Sequence, residues 1–174
     1  ALACGVGAAQ VREGLVSFKP LEHRLEPCGE IGGVKFVNDS KATNTDAVIK
    51  ALTAFPQDRV ILLLGGHDKG TPLDEFAEQV AAQVGAVVCF GEARERFRHA
   101  LEETAGASDI DIAVASDLRD AVDVARSLAG RGDVVLLSPA CSSFDEFSGF
   151  EERGRRFKAY LQELREHAAE VEMD

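Results

Sequence analysis

The stretch Val34-Lys35-Phe36-Val37-Asn38-Asp39-Ser40-Lys41-Ala42-Thr43-Asn44 decides the fold. An apolar run (Val34, Phe36, Val37) stops at a cluster of small polar groups. A helical pattern then begins (Ala47, Val48, Ala51, Leu52). Strand, polar turn and helix in that order place ligand chemistry at the carboxyl end of a strand and the amino end of the next helix. This turn offers a cation (Lys41), a carboxylate (Asp39) and two hydroxyls (Ser40, Thr43).

Two later apolar runs end in similar clusters. Val60 to Leu64 shows no alternation, as a strand covered on both faces should, and leads into Gly65-Gly66-His67-Asp68-Lys69-Gly70. Val134 to Leu137 leads into Ser138-Pro139-Ala140-Cys141-Ser142-Ser143. In a parallel sheet all three clusters share one edge.

Around them the chain alternates. Arg24 to Ile31, Gly32-Gly33 and Val34 to Val37 read as a β-hairpin. A helix capped by Asn44 or Thr45 runs to about Phe55, before Pro56. Thr71 is read as the cap of a helix reaching about Val84, with Pro72 at its first position. Strands at Ala86–Phe90 and Ile112–Ala115 flank a charged helix (Glu92 to Glu103). Ser116 is read as the cap of a helix over about 117–129, and a last helix covers about 150–167. Strands alternating with helices mean βαβ units and a mostly parallel sheet of about six strands, here with an antiparallel edge hairpin.

With 174 residues and 45% hydrophobic content, the chain suits one domain with a proper core. Thirty acids against nineteen bases give a net charge of −11, which argues against general nucleic-acid or membrane-surface binding. No apolar run approaches the roughly 20 residues of a membrane span, and no secretory signal is visible. Cys4, Cys28, Cys89 and Cys141 form no CxxC pair and read as reduced thiols of a cytoplasmic protein, without a metal site.

Each cluster has a plain reading beside the functional one. Polar turns satisfy their own backbone. The Gly65–Gly70 loop is no P-loop, since GxxxxGK[ST] occurs nowhere in the chain, and a His in a glycine turn is usually just exposed. Cys141 reads as a buried thiol, not a nucleophile. Phe144, Phe147 and Phe150, at i, i+3 and i+6, have the spacing of a core face. The Glu/Arg runs at 92–98, 151–156 and 163–166 read as solvated helix faces.

Taken together, Asn38–Asn44, Gly65–Gly70, Leu137–Phe147 and Phe150-Glu151-Glu152-Arg153-Gly154-Arg155-Arg156-Phe157 closely resemble the C-terminal domain of the Mur ligases, in the branch that adds D-glutamate. The resemblance covers nearly the whole chain. It implies a Rossmann-like three-layer domain and an ATP-dependent amide-forming ligase of peptidoglycan synthesis. In such enzymes ATP phosphorylates the carboxylate of UDP-MurNAc-L-alanine, and the amine of D-glutamate attacks the acyl phosphate. By the same resemblance Lys69, Thr43, Ser143, the backbone of Phe144, and Phe150 match positions around D-glutamate. Lys41 matches a catalytic position near the phosphates. Asp39 and Arg24, with His23 beside them, match positions that contact ATP.

The resemblance also implies that the P-loop and the magnesium-binding acids belong to a central domain outside these residues. Residues 1–22 are then the tail of that domain and a linker through Pro20, and 23–174 the amino-acid-binding domain. Such a piece is expected to be a monomer and inactive alone. Two other readings stay open: a ligase of the same plan, folylpolyglutamate synthetase included, with another amino acid, and a stand-alone module that binds an anion or a protein.

Overall fold

A computed structural model describes residues 4–17, 21–104 and 109–171. The expected linker residue Pro20 lies outside them. After a first helix, α1 (Ala8–Ser17), come β1 (Glu26–Ile31), β2 (Val34–Asn38), α2 (Thr45–Leu52), β3 (Val60–Gly65) and α3 (Asp74–Ala81). Then follow β4 (Ala86–Phe90), α4 (Arg94–Glu102), β5 (Asp111–Val114), α5 (Leu118–Leu128), β6 (Val134–Ala140) and α6 (Phe150–Val171).

The six strands form one sheet in the order β1-β2-β6-β3-β4-β5. Only β1 runs antiparallel to its neighbour. Its hairpin turns on Gly32 and Gly33, with φ of 61° and 85°, the left-handed pair a two-residue hairpin needs. Pro27 sits on this edge strand, where a missing ladder donor is tolerated.

Helices cover both faces, so β3, β4 and β6 are buried along their whole length. On one side Leu62, Leu64, Val87 and Leu136 meet α2, α3 and α4 through Val48, Phe76, Val80 and Phe97. On the other, Ile61, Leu63, Val88 and Leu137 meet α5 and α6 through Leu118, Val122, Phe157 and Leu161. Alternate residues of one strand thus serve two cores, which removes the polar positions a one-faced strand would show. α1 joins neither cluster, and its Leu15 and Val16 are exposed. No described helix is long and apolar enough to cross a membrane.

Several boundaries differ from expectation. α2 stops at Leu52, where Thr53 turns its hydroxyl onto the Lys50 carbonyl. Thr71 caps nothing. α3 starts after Leu73, without a side-chain cap, and the Thr71 carbonyl accepts from Arg96 instead. Asp117, not Ser116, caps α5. Its carboxylate accepts from the Asp120 N–H, while Asp120 accepts from the N–H of Ser116, one residue before the cap. Asn44 caps α2 as expected, accepting from the Ala47 N–H.

Candidate functional site

β6 lies between β2 and β3, so the three polar clusters emerge side by side from the three central strands. The β2 turn is held by Asn38, which is fully buried. Its Oδ1 accepts from the Ser40 N–H at 3.1 Å. Its Nδ2 lies 3.0 Å from both His23 Nδ1 and Glu26 Oε2, and reaches the Gly154 carbonyl. An amide nitrogen only donates, so His23 Nδ1 accepts and the neutral ring carries its proton on Nε2. That Nε2 is buried without a hydrogen-bond partner among the described residues, 3.6 Å from a Glu22 carboxylate oxygen. Burial holds the His23 pKa below its ordinary value, opposed by Glu22.

Asp39 is buried as well. One carboxylate oxygen accepts from the Leu25 N–H at 3.2 Å, the other from the Ser138 hydroxyl at 2.9 Å. Burial raises its pKa above the usual carboxylate value despite both bonds. It ties the hairpin entrance, the β2 turn and the end of β6 together.

The two lysines stay exposed. Lys69 donates to the Thr43 carbonyl at 2.7 Å, joining the β3 loop to the β2 turn. The Lys41 ammonium lies 5.3 Å from the centre of the Phe150 ring, a cation–π contact. The β3 loop is fastened to the β6 turn through the His67 N–H, which donates to the Ser142 carbonyl at 2.9 Å. Gly66 makes that approach possible: its φ is 124°, and a Cβ there would run into the Ser142 oxygen.

Between these turns lies a cleft of about 460 Å³. It gathers Thr43, Lys69, Ser143, Phe144 and Phe150, five residues drawn from three separate parts of the sequence. Ser142, Ser148, Gly149 and Glu151 complete the wall, and sequence reasoning had not singled out the last three. Ser143 is 1% exposed and its hydroxyl has no hydrogen-bond partner among the described residues. A buried hydroxyl left unpaired costs on the order of 1–3 kcal/mol, which a polar ligand in the cleft would recover. A cation, a threonine and an unpaired serine beside aromatic walls suit a carboxylate-bearing molecule.

His23, Arg24 and Asp39 do not line this cleft. Arg24 is exposed, at the mouth of the hairpin, with its charge felt by Asp39. A larger depression of about 620 Å³ runs along α1. Among the described residues it is lined by Ala8, Ala9, Arg12, Glu13 and Val16, all on α1.

Some plain readings fare differently here. Cys141 is buried and its thiol is pushed up to about 11, which suits an inert sulfur. His67 is exposed and pairs with Glu92 at 2.6 Å, while Asp68 takes Arg96. The phenylalanine spacing misleads, because residues 143–148 form turns, not a helix. Phe144 is 69% exposed at the cleft, Phe147 packs on the core, and Phe150 lines the cleft.

The main residue missed is Arg153. The run 151–156 is not wholly a solvated face: Arg153 is fully buried. Its Nε donates to Ser40 Oγ at 3.0 Å and its Nη2 to the carbonyls of Ser40 and Cys141, both at 2.9 Å. Its Nη1 reaches the Ser142 carbonyl at 3.3 Å. Burial lowers its pKa to about 10, so it stays charged at neutral pH. The signal was present in the sequence. Arg153, Phe157 and Leu161 are spaced i, i+4, i+8, the stripe that α6 buries.

Comparison with known proteins identifies the family and the fold. The family model described as "Mur ligase, glutamate ligase domain" matches residues 23–141. UDP-N-acetylmuramoylalanine–D-glutamate ligase of Caldicellulosiruptor bescii is 43% identical over 160 residues, 92% of this chain and 34% of that protein. The ligase of the same name from Thermoanaerobacter sp. (strain X514) is 44% identical over 161 residues, 92% of this chain and 35% of its own. Bifunctional folylpolyglutamate synthase/dihydrofolate synthase from Yersinia pestis has the same fold. Its TM-score is 0.61 at 16% identity, over 88% of this chain and 34% of that one. The chain spans about a third of the length of the curated relatives it matches.

Proposed function

Since this chain belongs to the Mur ligase family, whose glutamate ligase domain matches residues 23–141, we propose that it is the amino-acid-binding part of an ATP-dependent ligase. That ligase joins D-glutamate to UDP-MurNAc-L-alanine in the cytoplasmic stage of peptidoglycan synthesis. Residues 23–174 make up the domain, and 1–22 are the end of a preceding ATPase domain with its linker.

The observation that carries the reading is the cleft. D-glutamate has two carboxylates, and the cleft offers two sets of groups for them. Lys69 with Thr43 takes one carboxylate by charge-assisted hydrogen bonds. The unpaired Ser143 hydroxyl, with the backbone of Phe144, takes the other. Phe150 flanks the hydrocarbon stem. With both carboxylates held, the amine is left free to attack.

In the reaction the amine nitrogen attacks the carbonyl carbon of the acyl phosphate. The tetrahedral intermediate collapses to the amide and releases phosphate. Lys41, exposed on the β2 turn, supplies positive charge toward the phosphates as charge develops on oxygen. Arg24 reaches for the nucleotide, and His23 and Asp39 shape the backbone that presents it.

ATP would be held chiefly by residues outside this chain, which has no P-loop motif. Magnesium fits these residues poorly: among the described ones no three His, Cys, Asp or Glu side chains converge on a possible ion.

The test is phosphate release with UDP-MurNAc-L-alanine, Mg²⁺ and ATP, with and without D-glutamate. It is run on this chain and on the full-length ligase that contains it. D-glutamate-dependent release by the full enzyme, and none by the chain alone, is the expected result. Turnover with a different amino acid, and not with D-glutamate, would overturn the substrate.

A further inference from the structure

We propose that Arg153 is a positioning residue for the amino-acid cleft, acting by fixing the distance between its two hydroxyl-bearing turns. The proposal rests on the D-glutamate reading for its substrate, and on geometry for its mechanism.

The cleft has no continuous wall. Thr43 comes from the turn after β2, Ser142 and Ser143 from the turn after β6, and Phe150 from the start of α6. Backbone pairing holds β2 to β6 only as far as Asn38 and Leu137, with one further bond from the Asp39 N–H to the Leu137 carbonyl. Beyond that the two turns diverge from the ladder. The Ser138 hydroxyl still donates to Asp39 at the foot of the turns; farther out, among the described residues, one guanidinium joins them directly. Arg153 donates to the Ser40 carbonyl and hydroxyl on one side, and to the Cys141 and Ser142 carbonyls on the other. The Ser40 hydroxyl donates in turn to the Phe150 carbonyl at 2.8 Å, so the start of α6 is fixed by the same knot. The Ser142 carbonyl also accepts from the His67 N–H, which brings in the β3 loop.

A buried charge normally takes a carboxylate partner. Here no carboxylate bonds to Arg153; its acceptors are carbonyls and a hydroxyl. Asp145 and Glu146 favour its charge only from a distance. Core packing alone does not call for such a cation, since an apolar side chain in the same place would avoid its desolvation. The planar fork does what neither an apolar group nor lysine does: it addresses three carbonyls and a hydroxyl in fixed directions.

The test uses the full-length ligase carrying R153K or R153M, assayed well below its melting temperature. KM is measured separately for D-glutamate, ATP and UDP-MurNAc-L-alanine, with kcat. Losing two or more charge-assisted bonds between the turns should raise KM for D-glutamate about tenfold or more in both variants. KM for UDP-MurNAc-L-alanine should stay within about twofold, being bound elsewhere. A lower melting temperature with unchanged KM for D-glutamate would overturn the proposal, leaving Arg153 merely structural. If neither variant folds, S40A removes the hydroxyl's bonds to Arg153 and to the Phe150 carbonyl, and an unshifted KM for D-glutamate there overturns it equally. If the parent enzyme uses another amino acid, the D-glutamate reading fails by itself, and the same KM comparison with that amino acid still decides the role of Arg153.

Discussion

The Lys69 ammonium rests on the backbone carbonyl of Thr43, 2.7 Å away. A carbonyl is a modest partner for a cation, and Lys69 remains exposed at the cleft. An incoming carboxylate therefore meets a positioned charge that no carboxylate has neutralised. Lys69→Ala in the full-length ligase should weaken D-glutamate by about 1.5–3 kcal/mol, roughly 10- to 150-fold in KM. KM for ATP should hardly move. Equal losses for both substrates would reject the assignment.

Lys41 belongs to the same edge but faces a different partner, the ring of Phe150. Its proposed work is on developing charge, not on holding the amino acid. Lys41→Ala should lower kcat by on the order of tenfold or more, with a smaller change in KM for D-glutamate. An unchanged kcat would remove Lys41 from the phosphates.

Asp39 offers a cleaner separation of roles. Its folded pKa is raised, so its contribution to stability is full below the ordinary value of 3.8 and is lost as pH rises through the folded value. At neutral pH the ionised group burdens the fold. Asp39→Asn keeps an acceptor for the Leu25 N–H and a neutral partner for Ser138. Its melting temperature at pH 7 should equal or exceed that of the parent. If Asp39 also serves ATP, KM for ATP rises while stability holds. A stable variant with an unchanged KM for ATP would leave Asp39 as scaffold alone.

His23 works in the opposite direction. Its folded pKa is depressed, so its contribution is present above the ordinary value of 6.5 and is lost as pH falls from there toward the folded value. Glu22 and Glu26 oppose the depression, and Lys158 and Arg155 reinforce it. His23→Asn suits the left-handed backbone at this position, where φ is 63°. Melting temperatures between pH 7 and 5 should fall more steeply for the parent than for the variant. Parallel curves would show that His23 is not the titrating group.

Much of this architecture can be read without coordinates, for reasons that particular residues make plain. Val60 to Leu64 has no polar member, which only a strand covered on both faces tolerates. Gly32-Gly33 names its hairpin turn because few other residues accept that backbone. The grouping of Lys69, Thr43 and Ser143 was legible as strand-end chemistry, since parallel strands send such ends to one edge.

Other features depend on partners distant in sequence. Nothing local says that β6 inserts between β2 and β3, because strand pairing is a matter of tertiary packing. Arg153 hid in a charged run, as its acceptors lie up to 113 residues away. Thr71 has the right chemistry for a cap, but Pro72 and the bond from Arg96 carry the chain past it to Leu73. Ser116 and Asp117 are both good caps, and only the bonds with Asp120 choose between them.

The place of β6 bears on how the protein is made. Among the described strands, β2 has no parallel neighbour except β6, and β6 is the last of the six in chain order. Until residues 134–140 have left the ribosome, the β1–β2 hairpin and the β3–β4–β5 sheet have no common edge. The Lys41 turn and the Lys69 loop then belong to two unjoined pieces. A nascent chain can collapse around its helices, yet it has not assembled the cleft. Long-range pairing of this kind is slow to form. A chain stopped short of β6 should retain helices but lack the cleft that β2, β3 and β6 jointly present.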